Sequence, residues 1–197
     1  QEMATYLQAM LDRRRLQPQS DLLSQLAQTD LPAEVIVANA MVLLVAGHET
    51  TVNLIGNGMQ ALLRHPDQLR RWAEDPAHDA TAVDELLRYD SPVQMTTRIA
   101  LDDIELATTT IAKGTIVVLM LGAANHDPAV FERPDELDIA RDPNPHLAFG
   151  AGAHFCLGAA LARLEGQIAL TSLFRRFPDL RLAEPVETLP WRRSLPV

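Results

Sequence analysis

The pattern of apolar and polar residues in the first thirty positions predicts two helices. Apolar side chains recur at helical spacing over residues 3–16 and share one face. A second, shorter helix is predicted to begin near Ser20 or Asp21, because either side chain can accept hydrogen bonds from the amides of a first helical turn. The chain therefore begins with a helix pair.

A long third helix is predicted from about residue 32 to Arg64. It should end there, since Pro66 disfavours helical geometry at His65. Within it, residues 35–47 form a run of 13 positions that is apolar on every side. That run is shorter than the roughly 20 apolar residues that cross a bilayer. We therefore expect a helix through the middle of a protein and no membrane span in this segment.

After residue 65 the sequence predicts two further helices, and from Thr96 the pattern changes to short strands and turns. In order, the segments are helices at 66–74 and 79–90, short strands and turns between 96 and 121, a proline-rich irregular coil over 127–148, and a helix that follows Cys156 and ends before Pro178. The sequence thus predicts a mainly α fold with small β-sheets.

Composition and charge narrow the function classes. The 197 residues carry a net charge of −9 and only 5% aromatic residues. Such a chain is a poor nucleic-acid binder, because affinity for phosphates needs clustered cations. A single cysteine excludes an internal disulfide framework and every paired-cysteine zinc or redox motif. Cys156 is therefore a structural residue, a reactive thiol or a metal ligand.

The segment around Cys156 reads "FGAGAHFCLG" from Phe149 to Gly158. A lone cysteine is most often a small buried apolar residue. Here three glycines let the backbone run close to a flat or bulky ligand, and the following helix N-terminus favours a thiolate. These features indicate either a nucleophile or a metal ligand.

Two of the alternatives find little support in the residues. A thiol hydrolase would pair Cys156 with His154, but a catalytic histidine normally comes from a distant part of the chain. A phosphate-binding loop would need glycine at Phe155 and a strand before the loop. Ligation of one metal by one cysteine remains, and haem is the metal group that accepts a single protein ligand.

The cysteine segment resembles the haem-binding loop of the cytochrome P450 superfamily, in particular its bacterial branch. The family pattern F-G-x-G-x-H-x-C-x-G is met at Phe149, Gly150, Gly152, His154, Cys156 and Gly158. The resemblance implies that Cys156 is the iron ligand, that Phe149 packs beside its sulfur and that His154 holds a haem propionate. Gly150 and Gly152 would let the loop lie almost flat against the porphyrin.

A second motif, "AGHETT" at residues 46–51, lies within the apolar helix. On its own it could be a kink at which Thr50 and Thr51 bond back to the helix carbonyls. It is also similar to the family's distal-helix motif, which is met at Ala46, Gly47, Glu49 and Thr50. The resemblance implies that Gly47 leaves room for dioxygen and that Glu49 and Thr50 deliver protons while bulk water is excluded.

A third motif, "ELLR", places Glu85 and Arg88 three residues apart on one helix face, where they can pair. In the family the same E-x-x-R pair is buried and holds the coil that leads to the cysteine loop. Many relatives add an arginine before a phenylalanine in that coil, where this chain has Glu136 and Leu137. Arg141 is a candidate substitute for that arginine.

Further residues are assigned by the same resemblance. Arg98 matches the family arginine that pairs with a haem propionate. The segment "SPVQMTT", residues 91–97, matches a turn that lies over the substrate. The predicted substrate pocket would be mostly apolar. Its candidate residues are Leu43, Ala46, Val93, Met95 and Thr96.

The resemblance covers the whole chain and implies the C-terminal portion of the cytochrome P450 fold. We expect residues 1–197 to be the haem-binding part of one such domain, with the N-terminal half and the extreme C-terminus, beyond "WRRSLPV", absent. No signal-peptide pattern follows Gln1. The expected location is the cytoplasm, and the segment alone is expected to be inactive.

The expected activity is that of a haem-thiolate monooxygenase that hydroxylates or epoxidises a small lipophilic substrate with dioxygen. The cofactor would be haem b, iron-protoporphyrin IX. Electrons would come from a ferredoxin or a similar carrier with an NAD(P)H-dependent reductase. The main alternative is a truncated, non-catalytic homologue that retains the haem motifs, and a thiol hydrolase is a further one.

Overall fold

The computed structural model describes residues 1–188, and the chain divides into two compact units, Gln1–Glu49 and Thr50–Val197. The described part is mainly helical with two small antiparallel sheets. This confirms the predicted mixture of much helix and little strand. The C-terminal "WRRSLPV" segment, on which the expected C-terminal boundary depends, lies outside the described residues.

The first unit contains the predicted helix pair and the start of the long helix. Its helices are α1 (Glu2–Leu16), α2 (Leu22–Ala27) and the first part of α3 (Ala33–Arg64). Asp21 caps α2 by accepting a hydrogen bond from the Ser24 amide (2.7 Å), as its residue type predicts. Leu11, Ile36 and Val37 form a small buried cluster, against which the apolar face of α1 packs.

Helix α3 is buried near its beginning and exposed a few residues later. Ile36 and Val37 are buried, whereas residues 42–45 are exposed. Judged by length and composition only, α3 is long and apolar enough to cross a membrane. The core helices of water-soluble proteins pass the same test, so this property alone does not indicate a membrane protein.

The second unit holds the other elements. Its helices are the rest of α3, α4 (Pro66–Glu74), α5 (Asp79–Tyr89), α6 (Leu121–Ala124) and α7 (Ala159–Arg176), with short 3₁₀ turns at Pro76–His78, Gly152–His154 and Val186–Thr188. Its strands are β1 (Thr96–Ile99), β2 (Ile104–Glu105), β3 (Thr110–Ile111) and β4 (Ile116–Leu119). Within residues 1–188, α6, which is a single turn, and the short 3₁₀ turns have no counterpart in the predicted elements.

The strands form two antiparallel pairs. β1 pairs with β4, with Thr96 opposite Leu119 and Ile99 opposite Ile116. β2 pairs with β3 as a two-residue ladder. From α6 to α7 the chain is mostly irregular coil, as the proline-rich sequence predicts.

Helix α5 is the most enclosed element of the second unit. Six of its residues are buried: Ala82, Val83, Glu85, Leu86, Leu87 and Arg88. Apolar side chains from α3, α4, α7 and the coil surround it, among them Leu62, Trp72, Ile139 and Leu170. Two charged residues therefore lie inside an apolar core, where they need complete hydrogen bonding.

Helix α7 has two apolar faces. Gly166, Leu170 and Phe174 are buried in the unit's core. The helical spacing predicts one apolar stripe of Leu157, Leu161, Leu164, Ile168, Phe174 and Phe177. Of these, Phe174 is buried, whereas the other five are at least half exposed, Leu157 at 89%. Periodicity alone does not tell which of two apolar faces packs against this unit.

The close approach of α7 to its neighbours depends on Gly166. A Cβ added there would lie 2.9 Å from Leu54 Cδ2 and 3.4 Å from Val83 Cγ1, and both side chains are buried. Gly166→Ala should therefore lower the free energy of unfolding by about 1–3 kcal/mol through overpacking, despite a gain of about 1 kcal/mol in helix propensity. Denaturant unfolding measures it, with exposed Ser172→Ala on the same helix as control. A Gly166→Ala variant as stable as the control would contradict the tight packing.

Candidate functional site

The cysteine loop is a compact turn that ends at the first residues of α7. The Cys156 amide donates to the Phe149 carbonyl (2.9 Å), and the Phe155 amide donates to the Gly152 carbonyl (3.0 Å). Gly150 and Gly152 have φ values of +70° and +69°, in the left-handed region that other residues rarely adopt. These two glycines therefore allow the chain to fold back so that residues 149 and 156 bond to each other.

The loop presents its thiol outward. Residues 151–158 are all exposed, including Cys156. A Cβ added at Gly152 would meet no atom within 4 Å, and one added at Gly158 would lie 4.0 Å from the Cys156 sulfur. The sulfur thus lies beside small residues on an open face at the start of a helix, which suits a thiolate that ligates a flat, bulky group. No group of three or more His, Cys, Asp or Glu able to hold a metal occurs among the described residues.

The ring of Phe149, at the start of the cysteine loop, lies near three planar side chains. It is buried, its centroid lies 5.8 Å from that of His146 and 6.3 Å from that of Phe155, and the Arg163 guanidinium lies over it at 4.6 Å. Planar groups from the coil, the loop and α7 therefore hold one aromatic ring.

Asp84 on α5 connects the groups around Phe149. Its Oδ1 accepts hydrogen bonds from Arg163 Nε (2.7 Å) and from His146 Nε2 (3.2 Å). Burial raises the pKa of the Asp84 carboxyl, but the hydrogen bonds from His146 and Arg163, with the charge of Arg163, outweigh burial and lower the pKa below its ordinary value. The ionised carboxylate is therefore the form that this arrangement stabilises.

Glu85 and Arg88 are paired and fully buried. Arg88 Nε donates to Glu85 Oε2 (2.8 Å) and Nη2 donates to Oε1 (2.9 Å), a two-point contact in which neither side chain is exposed. The remaining N–H groups of Arg88 donate to the backbone carbonyls of Asn125 (2.9 Å), Pro134 (2.7 Å) and Glu136 (3.0 Å). The arginine thus holds three points of the coil.

Arg141, the candidate substitute for the arginine that many relatives have in the coil, binds the buried carboxylate of Glu85. Its Nε donates to Glu85 Oε2 (3.0 Å), and its Nη atoms donate to backbone carbonyls of the coil, among them that of Glu132 (2.7 Å). Glu85 also accepts from the Asp138 amide (2.9 Å) and from Asn144 Nδ2 (3.1 Å). Five donors therefore surround one buried carboxylate.

Asn125 is a structural residue that the sequence analysis missed. Its side chain is buried, Nδ2 donates to Ser91 Oγ (2.8 Å) and Oδ1 accepts from the Leu147 amide (2.7 Å). Its own carbonyl accepts from Arg88. Asn125 thus joins the end of α5 to the start of the cysteine loop, and its position in the sequence gives no periodic signal of this role.

The distal-helix residues lie on α3. Ala46, Gly47 and Glu49 are exposed in the first unit, and Thr50 begins the second. A Cβ added at Gly47 would meet no atom within 4 Å. The neighbouring Thr51 hydroxyl donates to Glu165 Oε2 on α7 (3.1 Å), a contact across 114 sequence positions that no local pattern predicts.

The two predicted propionate ligands are exposed. Arg98 lies on β1, where its Nη1 donates to Thr96 Oγ1 (3.1 Å) and to the Thr97 carbonyl (2.8 Å). His154 ends the 3₁₀ turn before Cys156. Both are accessible to an anionic group, and their assignment to haem stays a prediction.

The predicted substrate residues lie near the surface. Val93, Met95 and Thr96 are half-buried, and Leu43 on α3 is exposed. An open groove between α1 and α3 of the first unit has a different lining, which includes Ala4, Val37 and Met41. The substrate pocket therefore stays a prediction.

Comparison with known proteins finds one family. The family model for cytochrome P450 matches residues 80–189. Among curated proteins, the chain is 49% identical over 183 residues to the biotin biosynthesis cytochrome P450 of Bacillus subtilis, which covers 91% of this chain and 46% of that protein. It is 50% identical over 196 residues to the vitamin D(3) 25-hydroxylase of Pseudonocardia autotrophica, with 96% and 49% covered. The chain thus spans about half the length of the curated relatives that it matches.

Solved structures agree with the sequence comparison. The fold is similar to that of the cytochrome P450 PksS from the bacillaene polyketide synthase of Bacillus subtilis 168, with a TM-score of 0.95 and 42% identity over 98% of this chain and 52% of that one. It is also similar to P450BioI crystallised with an acyl carrier protein that bears hexadec-9Z-enoic acid, with a TM-score of 0.90 and 49% identity over 93% and 48%. These likenesses confirm the predicted fold class.

The burial of the Glu85–Arg88 pair predicts a large cost for removing one partner. Glu85→Ala leaves Arg88 and Arg141 without their carboxylate and should lower the free energy of unfolding by about 3–5 kcal/mol. Denaturant unfolding measures this loss.

The matched control is Glu136→Ala, which removes an exposed carboxylate paired with Arg133 (2.9 Å) and should cost less than about 1 kcal/mol. The backbone carbonyl that Glu136 offers to Arg88 remains in this variant. Equal stability of the Glu85 and Glu136 variants would contradict the role of the buried pair.

Proposed function

Because this chain belongs to the cytochrome P450 family, we propose that it forms the haem-binding part of a haem-thiolate monooxygenase. The observation that carries the proposal is the exposed Cys156 thiol at the start of α7, in a loop bent by two positive-φ glycines and closed by the Cys156–Phe149 hydrogen bond. Curated relatives at 49–50% identity are named as cytochrome P450 and as hydroxylase. As the chain spans about half their length, the activity of the whole protein is part of the proposal.

Haem b, when bound, would supply the oxidising chemistry, in which dioxygen, two electrons and two protons yield the oxygenated substrate and one water molecule. In the proposal Cys156 provides the thiolate ligand. The helix N-terminus favours its negative charge, and the bond from its own amide to Phe149 fixes the backbone from which the sulfur extends. Because glycine has no side chain, the glycines leave room for a porphyrin to approach this face of the loop.

The other assigned residues hold the cofactor or move protons. Arg98 and His154 would bind the two haem propionates, which are anions that need cationic or hydrogen-bonding partners. Gly47, which has open space where a side chain would stand, would leave room for dioxygen. Glu49 and Thr50 would pass protons inward from water toward the face where dioxygen would react, as the reaction consumes two protons while bulk water is kept out.

The relatives support a lipophilic substrate class. Their names include a vitamin D(3) hydroxylase and a 6-deoxyerythronolide B hydroxylase, and P450BioI was crystallised with an acyl carrier protein that bears a fatty acid. We infer hydroxylation or epoxidation of a small lipophilic molecule. We also infer a cytoplasmic location and electrons from a ferredoxin or a similar carrier with an NAD(P)H-dependent reductase.

The ligand assignment predicts a spectroscopic result. Cys156→Ser should abolish the red-shifted Soret band of the reduced, carbon monoxide-bound protein, since a neutral hydroxyl is a far poorer iron donor than a thiolate. Ala151→Ser is the control: it adds a hydroxyl at an exposed, extended position of the same loop and leaves the thiol in place, so the band should remain.

Two outcomes would contradict the ligand assignment. A Cys156→Ser variant with the wild-type band would show that another group ligates the iron. A whole wild-type protein that binds no haem would favour the thiol hydrolase instead. Haem binding by the whole protein without turnover would leave the ligand assignment in place and favour a non-catalytic homologue.

The proton-delivery role of Thr50 predicts uncoupling. In the whole protein, Thr50→Ala should bind haem and consume NAD(P)H at a near-normal rate while product per electron falls, because misdirected protons release reduced oxygen as hydrogen peroxide. Thr50→Ser keeps the hydroxyl and should largely retain the wild-type yield. The measurement is product and peroxide formed per NAD(P)H consumed. An unchanged yield in Thr50→Ala would assign Thr50 to the helix structure alone.

A further inference from the structure

A second carboxylate on α5 stands next to the buried pair and acts on a different part of the chain. Glu85 binds the coil through Arg88, Arg141 and the Asp138 amide. Asp84 instead binds the His146 side chain, which lies three residues before Phe149, and Arg163, which lies on α7. Its contacts therefore enclose the cysteine loop from both of its chain ends.

A short series of contacts leads from Asp84 to the cysteine. Arg163 is held by Asp84 Oδ1 at 2.7 Å and lies over the Phe149 ring at 4.6 Å. The Phe149 carbonyl, in turn, accepts the hydrogen bond of the Cys156 amide at 2.9 Å. A change in the position of Phe149 must therefore change the backbone that carries the thiol.

His146 also lies near this ring, with the two ring centroids 5.8 Å apart. Its side chain is only 3% exposed, and its Nδ1 accepts a hydrogen bond from the Ala148 amide (3.2 Å). Because Nδ1 accepts, the ring proton is on Nε2, which donates to Asp84 (3.2 Å). Asp84 thus binds two of the three planar groups around Phe149, His146 and Arg163.

We propose that Asp84 is a positioning residue for Cys156: by holding Arg163 and His146 against Phe149, it fixes the carbonyl to which the Cys156 amide bonds. The proposal rests on the proposed function in so far as Cys156 binds haem iron. It assigns the two adjacent carboxylates of α5 different roles, Glu85 for the coil and Asp84 for the ligand loop.

The chain offers a matched control on the same helix. Asp79 also lies on α5, and its carboxylate accepts from Trp72 Nε1 (2.8 Å) and from Gln167 Nε2 on α7 (3.1 Å). It joins α5 to α7 as Asp84 does, but it has no contact with the loop among the hydrogen bonds of the described residues. Asp79→Asn therefore reports what a purely structural α5–α7 contact contributes.

The first measurement is amide hydrogen exchange in the haem-loaded whole protein. Asp84→Asn and Arg163→Gln should each raise exchange in the segment 149–158 by about tenfold, the effect of losing one hydrogen bond between charged groups. Exchange within α5 and α7 should stay near wild type. Both substitutions remove the same contact. The increase in exchange in the double variant should therefore be much smaller than the product of the increases in the two single variants.

The second measurement is the fraction of reduced, carbon monoxide-bound haem with the red-shifted Soret band. Asp84→Asn and Arg163→Gln should convert part of it to the unshifted form, whereas Asp79→Asn should not. Arg163→Lys keeps the positive charge beside Asp84 and so protects folding, yet it lacks the flat guanidinium that covers Phe149. It should also raise loop exchange.

Several results would overturn the proposal. Asp84→Asn that lowers stability as Asp79→Asn does, with wild-type loop exchange and band, would leave Asp84 a packing residue only. Wild-type loop exchange in Arg163→Lys, if the other two variants fail to fold, would do the same. Absence of the shifted band in the wild-type protein would instead refute the proposed function, which keeps the two failures distinguishable.

Discussion

The buried ion pair of Glu85 and Arg88 is the interaction on which the second unit depends. Moving either charge out of water costs several kcal/mol, and attraction between the two offsets that cost only when every other polar atom is also bonded. The coil supplies those bonds. Arg88 donates three hydrogen bonds to backbone carbonyls, and Glu85 accepts three, from Asp138, Arg141 and Asn144. The pair therefore needs the coil folded, and the coil, which has little regular structure, needs the pair.

This mutual dependence explains how an irregular segment can position Cys156. A coil without a ladder of backbone hydrogen bonds has few internal restraints. Here the buried Asn125 side chain bonds to Ser91 and to the Leu147 amide. It thereby connects the end of α5 to the start of the cysteine loop. The loop then closes on itself through Phe149 and Cys156. The position of the thiol is thus set by a series of charged and polar contacts that begins in the apolar core.

Local patterns account for most of the fold and for part of the site. The end of α3 and the start of α4 follow from Pro66, and the cap of α2 follows from Asp21, because each depends on neighbouring residues only. The i, i+3 spacing places Glu85 beside Arg88, and Arg141, a candidate from the sequence, does bind Glu85. By contrast, the Thr51–Glu165 contact, the role of Asn125 and the Asp84 cluster join residues far apart in sequence. The same limit applies to α7, where periodicity finds two apolar faces without telling which one packs.

The way in which the coil is held has a consequence for how its sequence can diverge. Arg88 binds it through the carbonyls of Asn125, Pro134 and Glu136, and Arg141 through that of Glu132, all groups that every residue type possesses. Exchange of one side chain for another at positions 132, 134 and 136 leaves these acceptors in place. An insertion or deletion between 125 and 141 would shift them out of register with two fixed guanidinium groups. In homologous chains positions 132, 134 and 136 should therefore vary in residue type, while the length of the segment between 125 and 141 hardly changes.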